Sequence, residues 1–167
     1  MVYTAGLNGQ GLYVLLNDQH GGFTEALVPH YSANSVTLAD LNADGNLDAV
    51  VQSAGEWVRA FLGNGKGAFE IVQDRIPYTF LYYAAPQIGD VNGDGIPDLL
   101  MPMGSSIGIA LGTGKGTFYT PFEIGAGPLA GQAYMQNLQG QSPSAGLPDI
   151  VAPDSSGGVT VLLNITR

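Results

Sequence analysis

Two nine-residue stretches, Asp40-Leu41-Asn42-Ala43-Asp44-Gly45-Asn46-Leu47-Asp48 and Asp90-Val91-Asn92-Gly93-Asp94-Gly95-Ile96-Pro97-Asp98, share the pattern D-x-N-x-D-G-x-x-D. Oxygen-bearing side chains stand at loop positions one, three, five and nine, and glycine stands at six. A hard cation needs this arrangement: calcium takes six to eight oxygen ligands, and a glycine at position six allows the sharp turn that gathers them. The expected ligands of one Ca²⁺ are Asp40, Asn42, Asp44, the carbonyl of Asn46, and Asp48. Those of a second are Asp90, Asn92, Asp94, the carbonyl of Ile96, and Asp98. The other reading is a polar turn, since Asp, Asn and Gly are ordinary turn formers; two copies with identical spacing favour the metal. Three carboxylates in one loop repel one another by on the order of a few kcal/mol per pair, which a cation or protonation must relieve. Apolar runs follow each loop at once, Ala49-Val50-Val51 and Leu99-Leu100-Met101, so the exit is expected to be a β-strand.

The loops recur because the whole chain repeats. Asp48, Asp98 and Asp149 each close a turn and open an apolar run, at spacings of 50 and 51. Leu16-Asn17, Leu62-Gly63, Leu111-Gly112 and Leu163-Asn164 end four alternating apolar segments. The first three of these lead through glycine-rich turns to Phe23, Phe69 and Phe118. Alternation and glycine hairpins without a 3.6-residue apolar stripe indicate strands. In the second period they are expected at 35–41, 47–52, 57–62 and 69–74, and in the third at 84–89, 97–103, 107–111 and 118–123. The first period starts late, with strands at 2–5, 12–16 and 23–28; the last has 132–138, 149–153 and 159–163.

Four-stranded units repeating at about 50 residues are the signature of propeller blades. The expected fold is all-β: a β-propeller of antiparallel blades, three to three and a half per chain. The expected units are a partial blade at 1–30, blades at 31–79 and 80–127, and a partial blade at 128–167. Closed propellers have about four to eight blades, so closure calls for a second copy or further sequence. Head-to-tail association of two chains is expected, the truncated end blades completing each other, with six blades fitting better than seven.

Length and composition agree with one globular domain. The chain has 167 residues, hydrophobic content of 45%, and Gly 25 and Pro 10, apolar enough for a core and rich in turns. Six of its 14 acidic residues lie in the two loops, so two bound Ca²⁺ would bring its net charge from −9 to −5. Five scattered basic residues, Arg59, Lys66, Arg75, Lys115 and Arg167, make no footprint for nucleic acid or an anionic membrane. No run approaches the roughly 18 apolar residues of a membrane span. Cysteine is absent, which leaves the compartment unmarked. Met1-Val2-Tyr3-Thr4 carries neither a basic nor an apolar leader region, so no signal peptide is expected in this segment. Calcium sites of modest affinity fill outside the cell, which favours a mature extracellular or cell-surface segment over a cytoplasmic one.

The third copy of the loop departs from the pattern. Asn137-Leu138-Gln139-Gly140-Gln141 stands where the second copy has its carboxylates, and residues 142–145 are inserted before Gly146-Leu147-Pro148-Asp149. Neutral oxygens in a longer loop hold calcium weakly. Asp149 is expected instead to cap the turn by accepting backbone N–H bonds.

The run Ala85-Pro86-Gln87-Ile88-Gly89-Asp90 through Asp98-Leu99-Leu100, its counterpart from Val36 to Val51, and the hairpins Leu62–Phe69 and Leu111–Phe118 resemble the FG-GAP/VCBS repeat family. These are the blades of the integrin α-chain propeller and its bacterial relatives. With weaker copies at both ends the resemblance covers nearly the whole chain. It implies a calcium-stabilised propeller, usually extracellular, that mediates adhesion, carbohydrate binding or protein binding. It also implies that loop positions one, three, five, seven and nine are the calcium ligands.

Catalytic patterns are weak. Gly104-Ser105-Ser106-Ile107-Gly108 fits G-x-S-x-G, but that motif needs a strand-to-helix elbow and a downstream histidine. The histidines, His20 and His30, lie upstream. Gly112-Thr113-Gly114-Lys115-Gly116-Thr117 lacks the spacing of a phosphate loop and reads as a hairpin turn. Trp57 and the tyrosines are expected chiefly in the core between blades, and the sequon Asn164-Ile165-Thr166 carries little weight. The expected function is therefore a non-enzymatic calcium-binding module recognising an extracellular protein or a glycan. The alternative is a lectin, or the accessory propeller of a larger secreted enzyme.

Overall fold

The computed structural model describes residues 2–4, 11–29, 33–53, 57–77, 84–138 and 147–164. Among these residues fourteen strands form four antiparallel sheets, each built from consecutive strands. Blade 1 is β1 (Val2–Thr4), β2 (Gly11–Asn17) and β3 (Phe23–Pro29). Blade 2 is β4 (Ser35–Ala39), β5 (Asp48–Gln52), β6 (Trp57–Gly63) and β7 (Phe69–Pro77). Blade 3 is β8 (Gln87–Gly89), β9 (Asp98–Met103), β10 (Ser106–Ala110) and β11 (Phe122–Gly125). Blade 4 is β12 (Tyr134–Gln136), β13 (Asp149–Pro153) and β14 (Val159–Leu162). The all-β, propeller-like architecture read from the repeat is the one observed, and the four sheets are not closed into a ring. Among the described residues no helix is long and apolar enough to cross a membrane.

The core lies between blades, and strand periodicity says why. Alternate residues of a strand face opposite sides of its sheet, so a sheet sandwiched between two others must be apolar on both. In β5, Ala49 and Val51 join Leu12 of blade 1, while Val50 joins Leu99 and Met101 of blade 3. In β9, Leu100 turns the other way, to Ile150 and Ala152 of blade 4. The unbroken apolar runs after each loop are strands buried on both faces. Polar contacts cross the same seams. The Gln73 side chain bridges to the backbone of Phe118, its Nε2 donating to the carbonyl at 3.0 Å and its Oε1 accepting the N–H at 2.7 Å. Thr37 Oγ1 donates to the Pro86 carbonyl at 2.6 Å.

One expected strand is displaced. The fourth strand of blade 3 was expected from Phe118, but Phe118 makes only an isolated bridge to Gly112, and β11 begins at Phe122, opposite Ile109. Ala110 and Leu111 on one side face Tyr119, Thr120 and Pro121 on the other, so one residue is bulged out. Blade 2 has a similar irregularity opposite Ala60 and Phe61, which its strand spans. In blade 3 the segment contains Pro121, which has no N–H to give to a ladder. β7 in turn runs on to Pro77, paired with Trp57.

Candidate metal loops and an interblade groove

The first loop joins β4 to β5 and the second joins β8 to β9. Their internal hydrogen bonds are nearly superimposable. Asp40 accepts the N–H of Asp44 at 3.2 Å and of Gly45 at 2.8 Å; Asp90 accepts those of Gly93, Asp94 and Gly95 at 2.7, 3.2 and 2.8 Å. Asn42 and Asn92 each donate their amide to Asp44 or Asp94 at 3.0 Å. Asp44 and Asp94 accept the N–H of position seven, from Asn46 at 2.7 Å and Ile96 at 2.8 Å. Gly45 and Gly95 take φ of 84° and 80°, the left-handed turn that position six was expected to require. The backbone N–H of Asn46, followed by its side-chain amide partner Asn42, holds the Asp44 carboxyl below the ordinary range.

Position nine stands apart from the other three. Asp48, Asp98 and Asp149 are fully buried, and each splits its carboxylate between two backbone donors. Asp48 accepts from Leu41 and Gly63, both at 2.8 Å. Asp98 accepts from Val91 at 2.9 Å and Gly112 at 2.8 Å. Asp149 accepts from Leu138 at 3.0 Å and Asn164 at 2.8 Å. One donor follows the first strand of the blade and the other ends or follows the third, so each aspartate clasps three strands together. The capping role expected of Asp149 is present, and the two loop aspartates share it. Gly63 and Gly112 suit this closeness: a Cβ there would collide with the Leu47 or Pro97 carbonyl. The rest of the third loop, including Gln139 and Gln141, lies outside the described residues.

The donor set suits a hard cation in kind: each loop offers three carboxylates, an amide oxygen and a backbone carbonyl. Each position-nine carboxylate keeps lone pairs beyond the two backbone bonds it accepts. In the second loop burial pushes the Asp98 carboxyl up, against the pull of the Gly112 and Val91 N–H groups, and the charges of Asp94 and Asp90 push it further. The Asp98 carboxyl thus lies in the field of the other two carboxylates of its loop. Their oxygens are turned mainly to backbone N–H groups, and among the described residues no three acidic or histidine side chains converge on one metal-sized point.

Beside the first loop runs a groove of about 350 Å³ between blades 1 and 2, lined by Leu16, Leu38, Asn46, Leu47, Asn64 and Phe69 among others. Asn64 has no signature in the sequence beyond that of a turn residue, and Asn46 was expected there only for its carbonyl. A groove of about 280 Å³ between blades 3 and 4 is mostly apolar, with Ile109, Leu111, Phe122, Ile150 and Leu162 in its walls.

The remaining residues singled out in the sequence have structural partners. Ser106 opens β10 after a tight turn and donates to Glu123 at 2.7 Å, with a strand following rather than a helix. His20 Nδ1 lies 2.7 Å from the Asp18 carbonyl within one turn; His30 is outside the described residues. Lys66 and Lys115 sit at hairpin tips flanked by glycines with positive φ. Arg75 lies over the Trp57 ring, 5.0 Å from its centre, which occupies that face. The sequon residue Asn164 donates its amide to the Val91 carbonyl at 2.9 Å, tying blade 4 to blade 3.

Comparison with known proteins agrees with this architecture. Residues 40–101 match the FG-GAP-like repeat. No curated protein sequence matches the chain. Among solved structures it is similar to an Agrocybe aegerita lectin described as specifically recognising non-reducing terminal N-acetylglucosamine, with TM-score 0.62 and 20% identity over 94% of this chain and 44% of that one. It is also similar to part of the Photorhabdus luminescens Tc holotoxin pore, with TM-score 0.54 and 17% identity over 93% of this chain and 8% of that one. At these identities the likeness is one of fold, and this chain spans less than half the length of either. The repeat match over residues 40–101, the antiparallel sheets and these two neighbours together show an all-β, propeller-like fold that carries an FG-GAP-like repeat.

Proposed function

We propose that this chain is a non-enzymatic, calcium-binding propeller module that recognises glycans outside the cell. The observation that carries the reading is its likeness of fold, along 94% of its length, to a lectin that recognises terminal N-acetylglucosamine. The groove between blades 1 and 2 offers what a sugar ring uses: apolar surface from Phe69 and Leu47, and amides from Asn46 and Asn64. Calcium would be held by Asp40, Asn42, Asp44, the Asn46 carbonyl and Asp48, and by Asp90, Asn92, Asp94, the Ile96 carbonyl and Asp98. Bound there, it would neutralise carboxylates gathered at the mouth of each blade and stiffen the loop that borders the groove. The hairpin setting of Ser106 and the local bonding of His20 support a binding role over a catalytic one.

The test is a glycan array that includes terminal N-acetylglucosamine, probed with and without chelator. Binding to a defined set of sugars, weakened by Asn64→Ala and Phe69→Ala, is the expected result. Loss of all sugar binding alongside retention of a protein ligand would replace the glycan reading with protein recognition.

A further inference from the structure

Leu16, Leu62, Leu111 and Leu163 occupy one repeat position, at or just past the end of β2, β6, β10 and β14. The residues two and four places before the first three, Val14 and Leu12, Ala60 and Val58, Ile109 and Ile107, are all buried. Those of blades 2 and 3 are buried together with residues of the following blade. In blade 4 the same positions are open: Val159, Val161 and Leu163 are 62%, 45% and 56% exposed. Blade 4 thus ends in a face of the kind that the other blades cover.

The chain's own seams show what covers such a face. At the seam of blades 1 and 2, Leu16 lies against Gly67, where a Cβ would come within 2.8 Å of the leucine side chain. At the seam of blades 2 and 3, Leu62 lies against Gly116 in the same way. These glycines have φ of 89° and 80°, and each stands two residues before the hairpin phenylalanine, Phe69 or Phe118. Phe118 is buried and Phe69 packs against the core between blades 1 and 2. Blade 1 carries the same hairpin: Gly21, φ 91°, two residues before Phe23. Nothing lies within 4 Å of a Cβ built on Gly21, and Phe23 is 53% exposed.

We propose that Leu163 of one copy seats on Gly21 of a second copy, with Val159 and Val161 covered by the blade that carries Phe23. Knob and socket belong to the same chain, so the contact is head to tail, and such contacts close into rings when the rotation permits. Two chains joined at both ends bring together eight sheets, within the range of about four to eight for closed propellers. Each end blade keeps its own strands; the contact stacks one blade face on another. Neither bound calcium nor a glycan enters the contact, so its test is separate from the preceding one.

The experiment is solution mass by light scattering on wild type, Leu163→Asp and Gly21→Val. Wild type is expected at twice 17.3 kDa, and each variant alone at the mass of one chain, with the wild-type far-UV spectrum. An equimolar mixture of the two variants should regain a two-chain species, because the intact Leu163 of one meets the intact Gly21 of the other. If either variant loses its fold, Val159→Lys probes the same face with the same expected loss. Wild type remaining a monomer at the highest attainable concentration would overturn the proposal. So would a two-chain species that survives all three substitutions, or a mixture that stays monomeric.

Discussion

The carboxylate of Asp98 accepts the backbone N–H of Gly112 at 2.8 Å, tying the last residue of a metal loop to the residue that follows the third strand of its blade. With the Val91 N–H at 2.9 Å on its other oxygen, this buried side chain fastens three strands at one end of the sheet. Asp149 does the same in a blade whose loop lacks the carboxylate pattern, so the clasp does not depend on that pattern.

Asp98→Ala and Asp149→Ala each strand two backbone donors, and each should destabilise the fold by about 2–5 kcal/mol, given roughly 1–3 kcal/mol per unsatisfied buried group. Urea melts in chelator would show the two losses to be similar. A loss near zero for Asp149→Ala would remove the clasp as an explanation of its burial.

Calcium should separate the same pair. A ligand present at about 100 times its dissociation constant stabilises by roughly 2.7 kcal/mol. Titration calorimetry should therefore show two sites in the wild type, one after Asp44→Ala or Asp94→Ala, and two after Asp149→Ala or Gln141→Ala. Heat release unchanged by Asp44→Ala would refute the assignment of the first loop.

Gln73 bridges two blades by pairing with both backbone groups of Phe118. Gln73→Leu keeps the volume but leaves that N–H and carbonyl without their partner. A loss of about 1–3 kcal/mol is expected, seen as a lower denaturant midpoint. Gln73→Glu should restore acceptance of the N–H but not donation to the carbonyl, and fall between the two.

Acid stability should depend on Asp154. Its carboxyl is held below the usual carboxylate range because the Ser156 hydroxyl and then the Gly158 and Ser156 N–H groups donate to it. A depressed folded-state pKa gives stability that is present above the unfolded value and lost as pH falls through the folded one. Asp18 has the same sign, through the N–H groups of His20 and Gly22. Asp98, raised chiefly by burial, has the opposite sign: its contribution is fully present below 3.8 and lost as pH rises through its folded value. Melts of Asp154→Ala should thus lose less stability than wild type below pH 3.8. An unchanged acid limb would show that the turn holds no charge-dependent stability.

Much of this was legible along the chain. The repeat spacing, the loop pattern and strand alternation are local properties, and they carry the four blades, the two acidic loops between first and second strands and the glycine turns. The start of β11 was not legible, because a phenylalanine, Phe69 or Phe118, marks the hairpin in both full blades and only pairing with β10 reveals which residues after Phe118 rejoin the ladder. The groove beside Asn46 and Asn64 was also hidden, since its walls come from two blades and neither wall has a signature of its own.

The sequence by itself determined the oxygen-rich loop pattern and where each blade turns, for these depend on neighbours within nine residues. Only the tertiary structure decided that Asp48 and Asp98 serve first as clasps on strands 14 or 15 residues away. It alone also showed that Leu16 and Leu62 meet Gly67 and Gly116 across the seams while Leu163 and Gly21 stay open. The physical reason is that burial of a carboxylate or a leucine is set by what packs against it, and those atoms come from other strands and other blades.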